Sequence, residues 1–277
     1  MTLIHHVVEG SGTPPIVFVH GFACSHIDYV AQVAQFSKRH QTVSVDLRGH
    51  GASPGTPDQI SIERLGADVA EVMRALKLPP AILVGHSMGC RVVTEAALQA
   101  PGQTAAVILL DGSQFAAAMG PAMKERFAKA GGFTEMARGM FTDMFTAKSD
   151  KGVMAAVVER ALRLPPEIGS KLMLDLQRYD ITRFEASLAG VGAPVMALQA
   201  TFSNDKRERK TMVKGQSTPY LEMVRRAQPK ARIEIVPDTG HFPQLDEIAQ
   251  TNALLDSFVA TIKGDRKSTR LNSSHSS

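Results

Sequence analysis

Cysteine is scarce in this chain of 277 residues, which has only Cys24 and Cys90. Two cysteines cannot build a disulfide framework, so an apolar core must hold the fold, each thiol reads as a small packing residue, and a reducing cytoplasm is expected. Spacings that hold metals are missing too. Neither Cys-x-x-Cys nor His-Glu-x-x-His occurs, and the adjacent His5 and His6 would point to opposite sides of a strand, so no metal is expected. No apolar run approaches the roughly 20 residues of a membrane-spanning helix. The opening Met1-Thr2-Leu3-Ile4-His5-His6 has neither a basic nor an apolar leader region, which agrees with a cytoplasmic location away from membranes. A large excess of one charge sign is absent as well: 31 Lys and Arg against 27 Asp and Glu leave +4. Much of that excess lies in 206–210 (Lys-Arg-Glu-Arg-Lys) and 263–270, which read as a solvated loop and a disordered end, so no nucleic-acid partner is expected.

The chain does contain enough apolar material for a substantial core, with 44% hydrophobic and 21% charged residues. Short β-rich runs recur at 16–19, 42–45, 81–84, 106–110, 195–198 and 232–236. They are continuously apolar rather than alternating, as strands covered on both faces should be. Helical patterns fill most of the intervals, at 27–37, 62–76, 91–99, 219–227 and 247–262, with Ser61 placed to cap the second and Pro79-Pro80 following it. The fold class is therefore α/β, a mostly parallel central sheet with helices on both faces, with an antiparallel opening strand at 3–8.

One stretch breaks this alternation. From Gly112 to Gly190 no strand pattern appears, and Met and Phe recur at helical spacing: Phe115, Met119, Met123, Phe127, Phe133, Met136, Met140, Phe141, Met144 and Phe145. This reads as a helical cap (113–190) inserted in a core domain (1–112 and 191–264), its flexible thioethers and rings suited to apolar ligands. Residues 265–277 are polar, expected to be disordered, and look non-native to the domain.

The most telling segment is Gly85-His86-Ser87-Met88-Gly89, set between an apolar strand and a helix. A serine at such a turn has its hydroxyl pushed into the open, and the glycines let strand and helix approach. Three further segments join it: His20-Gly21-Phe22 after a strand, Asp46-Leu47-Arg48-Gly49-His50-Gly51 after the next, and Gly240-His241-Phe242 near the end. In this order the four resemble the motifs of the α/β-hydrolase superfamily over roughly residues 3–262. The resemblance implies a serine nucleophile, a histidine base, a carboxylate and two backbone donors for the oxyanion, with no cofactor.

Ser87 is then the nucleophile and His241 its base. His86, though adjacent to Ser87, leaves the backbone in the wrong direction to serve. The N–H groups of Phe22 and Met88 are the expected oxyanion donors, and their side chains, with Phe115, Met140 and Met144, the expected substrate contacts. The acid is less defined. The position where the family's acid usually lies is closest to Ser203, which carries no carboxylate. Asp205 follows it, and Asp111 ends the apolar strand at 106–110, where protonated His241 would give its charge a buried partner. Asp111 is preferred and Asp205 kept as the alternative, while Asp46 and Asp238 read as turn residues. The expected function is hydrolysis of a carboxylic ester or lactone with an apolar acyl or aromatic part. A carbon–carbon bond hydrolase using the same triad and a hydrolase-fold ligand receptor of slow turnover are the alternatives. The expected partner is the small-molecule substrate, with a homodimer left open.

Overall fold

The apolar runs do become strands in the computed structural model, which describes residues 3–115, 132–204 and 208–273. In chain order they are β1 (His6–Glu9), β2 (Ile16–Val19), β3 (Thr42–Val45), β4 (Ala81–His86), β5 (Thr104–Leu110), β6 (Val195–Gln199), the short β7 (Thr201–Ser203) and β8 (Arg209–Thr211), and β9 (Arg232–Ile235). Seven of them form one sheet in the order β1-β3-β2-β4-β5-β6-β9. All its pairs are parallel except β1 with β3, where His6 faces Val45 and Glu9 faces Thr42. The antiparallel opening strand is thus present, three residues later than its expected start.

Helices cover both faces because alternate side chains of each buried strand point to opposite sides. Val17, Val19, Leu83, Val107, Leu109 and Ala197 join one core with α2 (Ile62–Ala75) and α3 (Gly89–Gln99). Phe18, Ile82, Val84, Ile108, Leu110 and Leu198 join the other with α1 (Val30–Phe36). Each valine, leucine, isoleucine or phenylalanine among them, withdrawn completely from water, contributes roughly 1.5–3 kcal/mol of transfer free energy. Ser61 caps α2 as its position suggests, its hydroxyl accepting the Arg64 N–H at 3.1 Å.

Between β5 and β6 the described chain is helical: α4 (Phe133–Thr142), α5 (Lys151–Ala161), α6 (Pro166–Thr182) and α7 (Phe184–Ala189). The expected Met136-Met140-Met144 face differs from the observed one. Phe133, Ala137 and Phe141 are the buried side of α4, and Met144 lies beyond its end at Thr142. The bulkier rings hold the i, i+4, i+8 stripe, leaving Met136 and Met140 half-buried at its margin. Met119, Met123 and Phe127 lie outside the described residues. After α8 (Pro219–Ala227) and α9 (Pro243–Asp246), α10 (Ile248–Ser273) carries helical backbone past Ile262, where its apolar pattern stops.

Strand order places the site. From β2 the chain passes to β3 on one side, and β4 then pairs with the other side of β2. Where successive connections diverge in this way, the loops leaving the carboxyl ends of the two strands open a crevice. The loop after β2 begins at His20, and the turn after β4 carries Ser87.

Candidate active site

Ser87 sits at φ +53°, a left-handed conformation that costs a non-glycine residue about 1–2 kcal/mol. The neighbouring glycines make that turn sterically possible. A Cβ on Gly85 would lie 2.2 Å from the Gly89 carbonyl oxygen, and one on Gly89 would lie 2.5 Å from that of Val19 on β2. Strand, helix and the neighbouring strand therefore meet at backbone distance around the serine. The turn is tied down by the Ser87 N–H, which donates to the Leu110 carbonyl of β5 at 2.9 Å.

The three expected catalytic side chains converge. Ser87 Oγ lies 2.8 Å from His241 Nε2, and His241 Nδ1 lies 2.6 Å from Asp111 Oδ2. Asp111 and His241 are almost completely buried. Asp111 Oδ1 accepts the N–H groups of Ala200 and Thr201 at 2.7 and 2.8 Å, and Oδ2 accepts the Thr201 hydroxyl at 2.7 Å. With these donors fixing the carboxylate, its free lone pair faces Nδ1. The Nδ1–H tautomer then leaves an Nε2 lone pair toward the Ser87 hydroxyl, the arrangement a base needs. Ser203 is exposed on β7, and Asp205 lies outside the described residues. Asp46 is a turn acceptor as expected, taking the Ala52 N–H at 2.9 Å.

Arg209 overturns the reading of 206–210 as a wholly solvated run. β7 and β8 pair as a short antiparallel hairpin, with Ser203 opposite Arg209 and Thr201 opposite Thr211. Because successive side chains of a strand alternate faces, Lys210 is turned outward at 52% exposure while Arg209 is turned inward. Its Nη1 donates to Thr201 Oγ1 at 2.8 Å and lies 3.0 Å from His241 Nδ1. Burial first, then the Arg209 cation and after it Arg91, holds the His241 imidazole well below its ordinary value. Burial pushes the Asp111 carboxyl up, opposed by Arg209 and by the donors from Thr201 and Ala200.

Arg91 was also not anticipated. It lies one turn after Ser87 on α3, donating through Nη1 to the Ser87 carbonyl at 3.0 Å and through Nε and Nη2 to both oxygens of Asp180 at 2.8 and 2.7 Å. Both partners are buried, and the guanidinium stacks 4.9 Å from the Phe184 ring. An arginine inside the apolar run Cys90-Arg91-Val92-Val93 was the signal available. Through it, α6 of the insertion is fastened to the serine turn. Both cysteines are buried packing residues, and burial pushes the Cys90 thiol up to about 12.

Three other histidines shape the surrounding loops. His20 Nδ1 donates to the Gly21 carbonyl at 2.7 Å while its Nε2 accepts the Leu47 N–H at 3.0 Å. His50 Nε2 accepts the Ala23 N–H at 3.3 Å. His86 donates from Nε2 to the His241 carbonyl at 2.7 Å. Burial first lowers all three, to about 3 for His20 and His86 and about 4 for His50. Neutral rings of fixed tautomer thus hold the Gly21–Ala23 turn and the His241 loop. The N–H groups of Phe22 and Met88 donate to no acceptor among the described hydrogen bonds.

The insertion reaches the same place. The Met144 carbonyl accepts the His241 N–H at 2.8 Å, Phe145 stacks on Phe242 at 5.1 Å, and Phe133 meets Phe22 edge-on at 6.0 Å. Phe22 and Met88 are buried beside the triad. Phe115 is held through its N–H by Asp180 at 2.8 Å, and half-buried Met140 packs against the core from α4. Neither shares a described contact with Ser87, His241 or Asp111.

Such a fold and constellation define an α/β protein with a serine, a histidine and an aspartate in hydrogen-bonded series at the carboxyl edge of its sheet. The family model described as "Alpha/beta hydrolase family" matches residues 16–254, and the chain belongs to that family. Among curated relatives, it is 28% identical to the sn-1-specific diacylglycerol lipase ABHD11 of Mus musculus, over 94% of this chain and 86% of that one. Among solved structures, it resembles a thermophilic esterase from Thermogutta terrifontis (TM-score 0.77, 21% identity, 94% and 93% of the two chains). It also resembles the enol-lactonase from Burkholderia xenovorans LB400 (TM-score 0.75, 20% identity, 93% and 96%). At these identities the two structural likenesses speak to the fold. No helix among the described residues is long and apolar enough to cross a membrane.

Proposed function

We propose that this protein hydrolyses a carboxylic ester or lactone with an apolar acyl or aromatic part through a Ser87–His241–Asp111 triad. The observation that carries this reading is the continuous chain of contacts from Ser87 Oγ to His241 Nε2 at 2.8 Å and from His241 Nδ1 to Asp111 Oδ2 at 2.6 Å. Ser87 Oγ attacks the carbonyl carbon as its proton passes to Nε2, and Asp111 stabilises the imidazolium. The oxyanion is received by the N–H groups of Phe22 and Met88, which have no other described acceptor. Collapse of the intermediate expels the alcohol, which takes the proton from Nε2. Water then gives a proton to the same nitrogen and attacks the acyl carbon, and as the acid is released Ser87 Oγ takes that proton back from Nε2, restoring serine and neutral histidine.

The apolar surroundings support the substrate class. Phe22, Met88, Phe133 and Phe242 are buried near the triad, and Met144 and Phe145, beyond the end of α4, touch His241 and Phe242. Similarity to a lipase of acylglycerols points the same way. The test is hydrolysis of a panel of p-nitrophenyl esters and lactones by the parent and by Ser87→Ala. Turnover is expected to fall by about three orders of magnitude or more with the melting temperature preserved. A Ser87→Ala protein that still turns over these substrates would refute the assignment.

A further inference from the structure

Three side chains from separate parts of the chain, none of them a triad residue, meet near one another. His5 precedes β1, His26 opens the short 3₁₀ turn His26–Tyr29, and Asp46 follows β3. Their ligand atoms, one ring nitrogen from each histidine and a carboxylate oxygen, lie within 4.8 Å of one another. His26 Nδ1 is 2.8 Å from Asp46 Oδ1, and His5 Nδ1 is 3.0 Å from Asp46 Oδ2. Despite that distance, His5 Nδ1 is a buried atom with no hydrogen bond of acceptable geometry. The rings tilt toward each other with centroids 5.2 Å apart.

Backbone contacts hold this arrangement in place. Asp46 is only 1% exposed, and its two oxygens also accept the N–H groups of His26 at 2.8 Å and Ala52 at 2.9 Å. The His5 N–H donates to Ser53 Oγ at 2.8 Å, and its carbonyl accepts the Asp46 N–H at 2.9 Å. The carboxylate and the backbone carrying both imidazoles are therefore fixed, while the His26 ring is held by its own Nδ1 contact to Asp46 Oδ1 at 2.8 Å, which a bound ion would replace.

We propose that His5 Nδ1, His26 Nδ1 and an Asp46 carboxylate oxygen form a binding site for one divalent transition cation of the zinc or nickel type. Two donors each about 2.1 Å from one ion lie roughly 3–3.5 Å apart, inside the 4.8 Å that bounds these ligand atoms and slightly beyond the 2.8 and 3.0 Å at which each ring nitrogen meets its own carboxylate oxygen. Two imidazoles with one carboxylate suit zinc, nickel or copper, whereas calcium and magnesium require oxygen ligands. Water completes the coordination, since the histidines form the exposed side of the site. The ion staples the start of β1 to the chain leaving the His20–Phe22 turn, a structural role independent of hydrolysis.

The test uses the full chain stripped with a chelator and titrated with zinc chloride and nickel chloride in a calorimeter, with melting temperature followed in parallel. One ion per chain is expected, raising the melting temperature by roughly 5 °C at a hundredfold excess over Kd. His5→Ala and His26→Ala are each expected to weaken binding at least tenfold. His6→Ala is expected to leave it unchanged, since His6 Nδ1 is engaged by the Ile4 carbonyl at 2.9 Å. His26→Gln, which keeps a donor for Asp46 but ligates poorly, replaces the alanine variant if that protein does not fold. Undiminished affinity in the His5→Ala/His26→Ala double variant, or no binding by the parent below millimolar metal, overturns the proposal.

Discussion

Replacing Arg209 by glutamine removes a positive charge from beside the histidine base, and the pH dependence of hydrolysis should report it. The Arg209 Nη1 lies 3.0 Å from His241 Nδ1, so the centres of the two cationic groups, once His241 is protonated, would be about 4 Å apart. Two unit charges at about 4 Å and an effective dielectric of about 20 interact by about 4 kcal/mol. Asp111 lies against His241 in the parent and in the variant alike, so its attraction cancels from the difference, and the lost Arg209 cation alone sets the direction of the change. His241 must be neutral to accept the serine proton, so a cation that opposes its protonation keeps the base working as pH falls. In Arg209→Gln the acid limb of kcat/KM is expected to move to higher pH by about one unit or more. Glutamine can still donate to Thr201 Oγ1, which separates charge from hydrogen bonding. Lys210→Gln removes the same charge from an outward-facing neighbour paired with Glu208 and should leave the profile in place. Initial rates on a p-nitrophenyl ester, taken after jumps from pH 7.5, provide the measurement. An Arg209→Gln profile that overlays the parent after scaling, or shifts toward acid, would refute the electrostatic argument.

Asp111→Asn tests the orientation of the base. The two backbone donors on Oδ1 require the amide oxygen there, which turns the amide NH₂ toward His241 Nδ1 and drives the proton to Nε2, where it blocks transfer from Ser87. kcat is expected to fall by about 10⁴ with the melting temperature little changed, and a loss under tenfold would place the acid elsewhere. Stability should also decline with acid because His20, His50 and His86 are held neutral, at about 3, 4 and 3, against an ordinary 6.5. Below pH 6.5 the unfolded chain binds three protons that the native protein does not, so stability falls as pH falls until about pH 4. At pH 5.5 the three together contribute a loss of about 4 kcal/mol relative to pH 7.5, readable as a lower urea midpoint. A midpoint that is flat between those pH values would contradict the buried, neutral assignment.

Much of this site was legible because its parts obey local rules. Gly85 and Gly89 marked a close approach of backbones around Ser87, and that approach is what the structure contains. Asp111 stood out because a carboxylate ending the continuously apolar β5 needs a buried partner, and His241 is that partner. The strands were legible through unbroken apolar runs, whereas β7 and β8 were not. Three residues each, Thr201-Phe202-Ser203 and Arg209-Lys210-Thr211 have too little pattern to signal a hairpin, and Arg209 was lost among charged neighbours. Arg91 and Asp180 pair across 89 residues of chain, and His5, His26 and Asp46 come from three loops, so neither grouping has a sequence spacing to detect. The Met136-Met140-Met144 stripe had helical periodicity, but the end of α4 at Thr142 depends on packing that periodicity does not encode.

Covalent capture of the nucleophile tests the central claim most directly. The full chain is treated with an alkyl fluorophosphonate, and the modified peptide is mapped by mass spectrometry in the parent and in His241→Ala. A single adduct on Ser87, formed in step with loss of esterase activity and much slower without the His241 imidazole, is the predicted result. An adduct on any other residue accompanying inactivation, or full inactivation with Ser87 unmodified, would contradict it.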